Sequence, residues 1–271
     1  ALSVANVALS VVITLDQFGP PSLSYGLFGN IGGGANLVFV GDKGYQSNKA
    51  NLIGSFNCDL LLDLTKMKSD NGNRHLGTGS SCSWVNKLDL RITFGYAPTL
   101  LPGDKVHVRA NKLQTDWTGA TLFMKAATVF LQKPASPVAP VALISYPSTL
   151  GICDKLKLDG SQTTGGAGRA MKVQWKVISA WPEHDMLNIT TFLDQANALN
   201  SGNGIYTLAD GLGAFDKWAI PKEHLKAGTE YQFRMQATNF FQSRSSAFAT
   251  ITKSSLPAPI VKFQQQALIE V

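Results

Sequence analysis

Four histidines, eighteen acids and three cysteines are the side chains that could carry chemistry in this chain. His75, His107, His184 and His224 stand far apart, no two at metal-ligand spacing, and there is no HExxH. Only Glu183-His184-Asp185 groups titratable residues, and neighbours on a strand or turn point different ways, so they make a poor acid–base set. No GxSxG elbow occurs and no cysteine has an evident histidine partner. Glycoside hydrolysis needs paired carboxylates about 5–10 Å apart, and the acids here mostly sit beside turns or lysines. The expectation is a protein without enzymatic activity, catalytic residue, cofactor or metal.

Two further patterns invite chemistry and read better as turns. Gly26, Gly29 and Gly32–Gly34 suggest a phosphate loop, but no Lys-Ser or Lys-Thr follows and no helix start is there to cradle an anion. Residues 22–35 are therefore expected to be a glycine-rich loop. Asp70, Asn71 and Asn73 carry oxygen ligands at close spacing, yet lack the rest of a calcium loop. An Asn-Gly turn within a loop over 66–80 is the better reading.

The elements around these residues are short strands. Val7 to Leu15 alternate over nine residues, and Leu37–Val40, Phe56–Leu62, Leu88–Phe94 and Thr121–Leu131 continue the pattern. The Pro102-Gly103-Asp104 turn precedes Val106 and Val108, which places His107 toward solvent. Lys133-Pro-Ala-Ser-Pro137 reads as a linker. Beyond it, Val141, Leu143 and Tyr146 give one apolar face of an edge strand, and Cys153, Leu156 and Leu158 begin a second. Val173, Trp175 and Val177 make a third, with Trp175 as a core residue. Ile189, Phe192, Leu193 and Ala196 have helical spacing, with Asn188 or Thr190 as cap. Tyr231, Phe233, Met235 and Ala237 alternate on a late strand, where Tyr231 enters as a corner tyrosine, and Phe248, Thr250 and Thr252 lie on a final one.

Charged residues make up 15% of the chain, below the roughly 25% of an average domain. Net charge is +6, but the cations are scattered; Lys105–Arg109 and Lys217–Lys226 are the densest groups. Without a basic stripe carrying aromatic platforms, nucleic acid is not an expected partner, whereas anionic glycans or surfaces are. No apolar run reaches the length of a membrane span. Both ends are expected to be cuts within a longer polypeptide, so that any anchor lies outside this piece.

One resemblance ties these elements together. Cys153, Asp159-Gly160-Ser161, Gly168-Arg169 and Trp175, followed by Leu225-x-x-Gly228-x-x-Tyr231-x-Phe233 and Asn239, resemble the receptor-for-egg-jelly module over roughly residues 138–255. That module occurs in polycystin-like, algal and protist surface proteins, and is similar to polycystic-kidney-disease-type sandwiches. Cys58, Leu76-Gly77, Cys82-x-Trp84, Leu88-x-Leu90 and Pro102-Gly103-Asp104 resemble the segment preceding it. The resemblance implies an all-β fold with little helix: tandem immunoglobulin-like sandwiches at 1–133 and 138–255, and the first strand of another module at 256–271.

An oxidising compartment follows from that class, with Cys58 and Cys82 as the natural disulfide and Cys153 buried and free or bonded outside. Three reduced, buried thiols are the other reading. Asn188-Ile-Thr190 is the single glycosylation sequon. The implied function is a structural and adhesive module of a large extracellular, cell-surface or ciliary protein, partnered by other extracellular proteins or its own neighbouring modules. The alternative is a glycan-binding module of a wall or matrix enzyme, with Trp84, Trp117 or Trp218 stacking on sugars; these tryptophans otherwise read as core.

Overall fold

The computed structural model describes residues 20–41, 52, 54–114, 122–201 and 219–256. The strand expected at Val7–Leu15, Trp117, Trp218 and nearly all of the strand expected at 256–271 lie outside the described residues. The chain divides into two units, residues 1–29 with 33–134 and residues 30–32 with 135–271. The described residues are mostly β-sheet, with α-helices only at Leu64–Asp70 and Leu187–Ser201.

In the first unit the strands are β1 (Ser22–Phe28), β2 (Gly34–Val40), β3 (Ser55–Asn57), β4 (Ser81–Trp84), β5 (Asp89–Thr93), β6 (Lys105–Val108) and β7 (Ala127–Gln132). They form one seven-stranded sheet in the order β3-β4-β5-β2-β1-β7-β6. Its two ends meet. Asp63 N donates to His107 O at 2.9 Å and Arg109 N to Leu61 O at 2.9 Å, so the chain leaving β3 bridges to β6. Closure of this kind removes the unpaired edges that would otherwise template aggregation. The interior is filled by Phe28, Leu37, Phe39, Leu90, Ile92 and their neighbours.

Three readings of this unit need correction. Residues 22–35 are not a loop, because β1 fills Ser22–Phe28 and β2 begins at Gly34. The glycines act by close approach: a Cβ on Gly26 would meet Leu131 Cδ2 at 3.0 Å and Leu37 Cδ2 at 3.1 Å, and one on Gly34 would meet Ile92 O at 2.4 Å. The loop expected over 66–80 begins as α1 (Leu64–Asp70), capped by Asp63, whose Oδ1 accepts from Lys66 N at 3.0 Å. Asn71, in the turn that follows, clasps the backbone of β6. Its Nδ2 donates to Lys105 O at 2.8 Å and its Oδ1 accepts from Lys105 N at 2.9 Å.

His107, expected to face solvent, is buried. The helix α1 packs on β6 and covers that face. His107 Nδ1 lies 2.7 Å from Thr128 Oγ1, and Nε2 lies 3.1 Å from Asp70 Oδ2. Alternation alone misplaces such a residue, since a strand covered by a helix has no wet face.

The second unit contains β8 (Thr149–Leu150), β9 (Lys172–Trp181), α2 (Leu187–Ser201), β10 (Glu230–Thr238) and β11 (Arg244–Lys253). The sheet order is β8-β11-β10-β9. Facing it, a second layer is laced by single bridges, Val141 with Thr164, Ser145 with Asp159 and Leu156 with Ile220. First and last strands adjacent and parallel, with a hairpin-built sheet between, is immunoglobulin-like topology. Leu156, Trp175, Val177, Phe233 and Met235 are buried between the layers.

Here too the structure departs from the sequence reading. The first-strand segment turns its other face inward: Ala142 and Ile144 pack on the core, whereas Val141, Leu143 and Tyr146 are exposed. Buried Pro140 sets that parity, and a slip of one residue exchanges the faces. Cys153 is neither in a strand nor buried. It sits exposed in a turn closed by Asp154 N donating to Gly151 O at 3.1 Å. At the start of α2 the side chain that accepts from a free amide is Asp185, whose Oδ1 accepts from Leu187 N at 2.9 Å, in place of Asn188 or Thr190, which lie inside the helix.

Tyr231 is 1% exposed, and its hydroxyl accepts from Lys226 N at 2.7 Å, tying the incoming turn to the start of β10. Burial pushes the phenol above its ordinary value, against the hydrogen bonds of Lys226 and Thr229. A raised folded-state value means that its stabilisation is complete below pH 10 and is lost as pH rises through the folded value. Lys253 acts oppositely. Burial lowers its value, partly offset by Asp154, so its contribution improves as pH rises toward the ordinary lysine range. The difference between wild type and Tyr231→Phe therefore isolates the tyrosine. The variant is expected to cost about 1 kcal/mol near pH 8, shrinking as melts are repeated up to pH 11. A cost that grows with pH would refute this.

Candidate functional site

Alternation along three strands builds one wet, flat face. On β10 the buried set is Tyr231, Phe233, Met235 and Ala237, which turns Gln232, Arg234 and Gln236 outward. On β9 the same logic exposes Lys172, Gln174 and Lys176, and on β11 Arg244, Ser246, Phe248 and Thr250. Register then fixes the rungs. Arg234 lies opposite Lys176 on one side and Phe248 on the other, and Gln236 lies between Gln174 and Ser246.

A register shift between Gln232 and Phe233 leaves Ile178 as an extra residue in β9. The bulge returns Trp181 to the outer face, opposite Glu230, with 75% of its surface exposed. Trp181 and the Phe248 rung are four β10 residues apart, about 13 Å. Phe248 is 55% exposed. Two aromatic surfaces thus flank a patch of glutamine amides and cations.

The helix α2 borders this face. Asn197 Oδ1 accepts from Trp175 N at 2.9 Å and its Nδ2 donates to Trp175 O at 2.8 Å, so one side-chain amide stands in for the missing ladder partner of edge strand β9. Between helix and sheet runs a groove of about 380 Å³, floored by Gln174, Lys176, Arg234 and Gln236 and walled by Thr190 and Asp194. Lys176 and Arg234, directly opposed like charges, weaken the sheet slightly. Neither has an ion-pair partner among the described residues.

The residues singled out from sequence fall elsewhere. Cys58 and Cys82 are joined by a disulfide and are fully buried. Trp175 is 8% exposed, on the inner face of β9. Asn188 is exposed in the first turn of α2. Trp84 is half-buried against Phe39, ring centroids 5.5 Å apart, and does not offer the open ring that sugar stacking needs. Among the described residues the exposed tryptophan is Trp181, which the sequence reading does not reach: its alternation ends at Val177, and only the bulge shows which way Trp181 points. Among the described residues no group of three histidine, cysteine, aspartate or glutamate side chains could hold a metal ion. No described helix is long and apolar enough to cross a membrane.

No family model and no curated protein matches the chain. Solved structures align with it at low identity and low TM-score. The eight N-terminal Ig domains of Down syndrome cell adhesion molecule align at 12% identity and a TM-score of 0.32, over 87% of this chain and 25% of that one. The Yersinia pseudotuberculosis adhesin InvE aligns at 11% identity and 0.26, over 85% and 58%. The human desmocollin-1 ectodomain aligns at 11% and 0.21, over 87% and 40%. The chain thus spans about a quarter of the length of the first of these.

Proposed function

We propose that the chain is a structural and adhesive module of a large extracellular or cell-surface protein, of the receptor-for-egg-jelly type that its sequence resembles. Each unit serves as a stiff spacer, and the open face of β9–β11 as the surface that meets other extracellular proteins or neighbouring modules. It works without catalysis, in a ciliary or wall-associated setting, with Asn188 as the place where a glycan would attach.

One observation carries this reading. In each unit the first and last described strands lie side by side and parallel, β1 with β7 and β8 with β11. Tension applied at the two ends pulls such strands in opposite directions along their axes. Their hydrogen bonds, such as Thr252 N to Ser148 O at 3.0 Å and Ser254 N to Leu150 O at 2.8 Å, are then loaded together. The disulfide of the first unit adds a covalent restraint suited to an oxidising compartment.

Single-molecule pulling tests it. Each unit of the wild-type chain should break as a discrete force peak, and Ser254→Pro, which removes one donor of the β8–β11 clasp, should lower the peak of the second unit only. Extension without peaks would overturn the proposal. The second reading, a glycan-binding module of a wall or matrix enzyme, is favoured by one feature, the exposed Trp181 and Phe248 beside a glutamine patch.

A further inference from the structure

The open face of β9–β11 carries more charge and more aromatic surface than a spacer needs. Lys172, Lys176, Arg234 and Arg244 point outward from three adjacent strands and form no ion pair among the described residues. The described carboxylates near them are Asp194 on the groove wall and Glu230 at the far end beside Trp181. Cations thus outnumber acids two to one on this face.

We infer that this face binds a linear acidic polysaccharide, its carboxylate or sulfate groups meeting Lys176 and Arg234, its sugar rings lying on Trp181 and Phe248, and its hydroxyls bonded by Gln174, Gln232 and Gln236. The inference rests on the reading of this face as an interaction surface, and it names the partner.

Each residue type fits that ligand for a separate reason. Aromatic rings exposed on a flat sheet offer apolar area to the C–H faces of pyranoses without costing much side-chain entropy. Amides both donate and accept, as sugar hydroxyls do; Gln236 stands in register with Gln174, and Gln232 lies on the same face of β10. Arg234 presents a planar fork matched to carboxylate and sulfate oxygens, and Lys176 a point charge beside it. A neutral glycan would leave the Lys176–Arg234 opposition uncompensated. A folded acidic protein would have to match the flat face by shape, whereas an extended chain can follow the 13 Å between Trp181 and the Arg234 rung, about the rise of four strand residues.

The test is affinity of the full chain for heparin, polygalacturonate and neutral dextran, each immobilised. Polygalacturonate carries carboxylates alone and heparin carries sulfates as well, so comparison of the two arms shows whether sulfate is needed. Either should bind, and affinity should fall about tenfold as ionic strength rises from roughly 0.01 M to 0.15 M, where the screening length drops from about 30 Å to about 8 Å. The double reversal Lys176→Glu/Arg234→Glu should lose at least about tenfold, and Trp181→Ala/Phe248→Ala a comparable factor that salt does not abolish. The control Lys87→Glu/Arg91→Glu reverses two exposed cations of the first unit. It should leave affinity unchanged, as should all variants the melting of the second unit.

Equal loss from the control would mean diffuse attraction by net charge and would overturn the inference. So would dextran binding as tightly as the polyanions, or no polyanion binding at all. In that last case intact force peaks, lowered by Ser254→Pro, would leave the spacer reading standing, whereas their absence would remove both.

Discussion

Replacing Trp175 by alanine should destabilise the second unit by about 3–5 kcal/mol, the range for emptying a buried aromatic site. The ring lies between the layers at the centre of β9, where Met235 faces it across the ladder. It also closes over Gly160, at which an added Cβ would sit 2.5 Å from Met235 Sδ and 3.4 Å from Trp175 Cζ2. Gly160 itself has no side chain to fill the space a deleted indole vacates. The bonds from Asn197 reach only the backbone of residue 175 and survive the substitution. The loss is therefore one of packing. Urea melts followed separately for the two units should show the second transition moved and the first unmoved; a shift below about 1 kcal/mol would mean that the indole is not a core element.

The second large effect belongs to the other unit. Cys58→Ala/Cys82→Ala should lower its stability by about 3 kcal/mol, the chain-entropy value for a loop of this length. The two cysteines are 24 residues apart, and the loop they close holds α1 and the Leu61–Asp63 segment that joins the sheet to β6. Without the link, that segment must be ordered against a longer free chain. Both sulfurs are buried, so a reductant should act on the native protein only as fast as the unit opens. A double variant as stable as wild type would show that the restraint contributes nothing, and would weaken the case for an oxidising setting.

The period-two pattern carried much of the fold. Leu90 and Ile92, or Phe233, Met235 and Ala237, alternate so strictly that only one face can be inner, and Ile189, Leu193 and Ala196 have a spacing only a helix uses. What stayed hidden depends on tertiary neighbours. Gly26 and Gly34 look like loop residues because sequence does not show which side chains press against them. His107 looks wet because α1, which covers it, lies 35 or more residues earlier in the chain. The outer face of β9–β11 was illegible for a related reason. Lys176, Arg234 and Phe248 come from three separate segments, and only ladder register makes them neighbours. Trp181 needed one bulged residue to change sides, a one-residue event that no periodicity reports.

That each unit is built to bear tension along its ends is tested most directly by changing the direction of the pull. In the full chain with Cys153→Ser, cysteine handles at Ser148 and Ser255, both exposed, load β8 against β11 in shear. Handles at Glu230 and Ser255 instead open the β10–β11 hairpin from its free end, one rung at a time. Parallel clasping predicts a clearly higher rupture force for the first pair of handles than for the second. Equal forces, or a stronger hairpin, would contradict it.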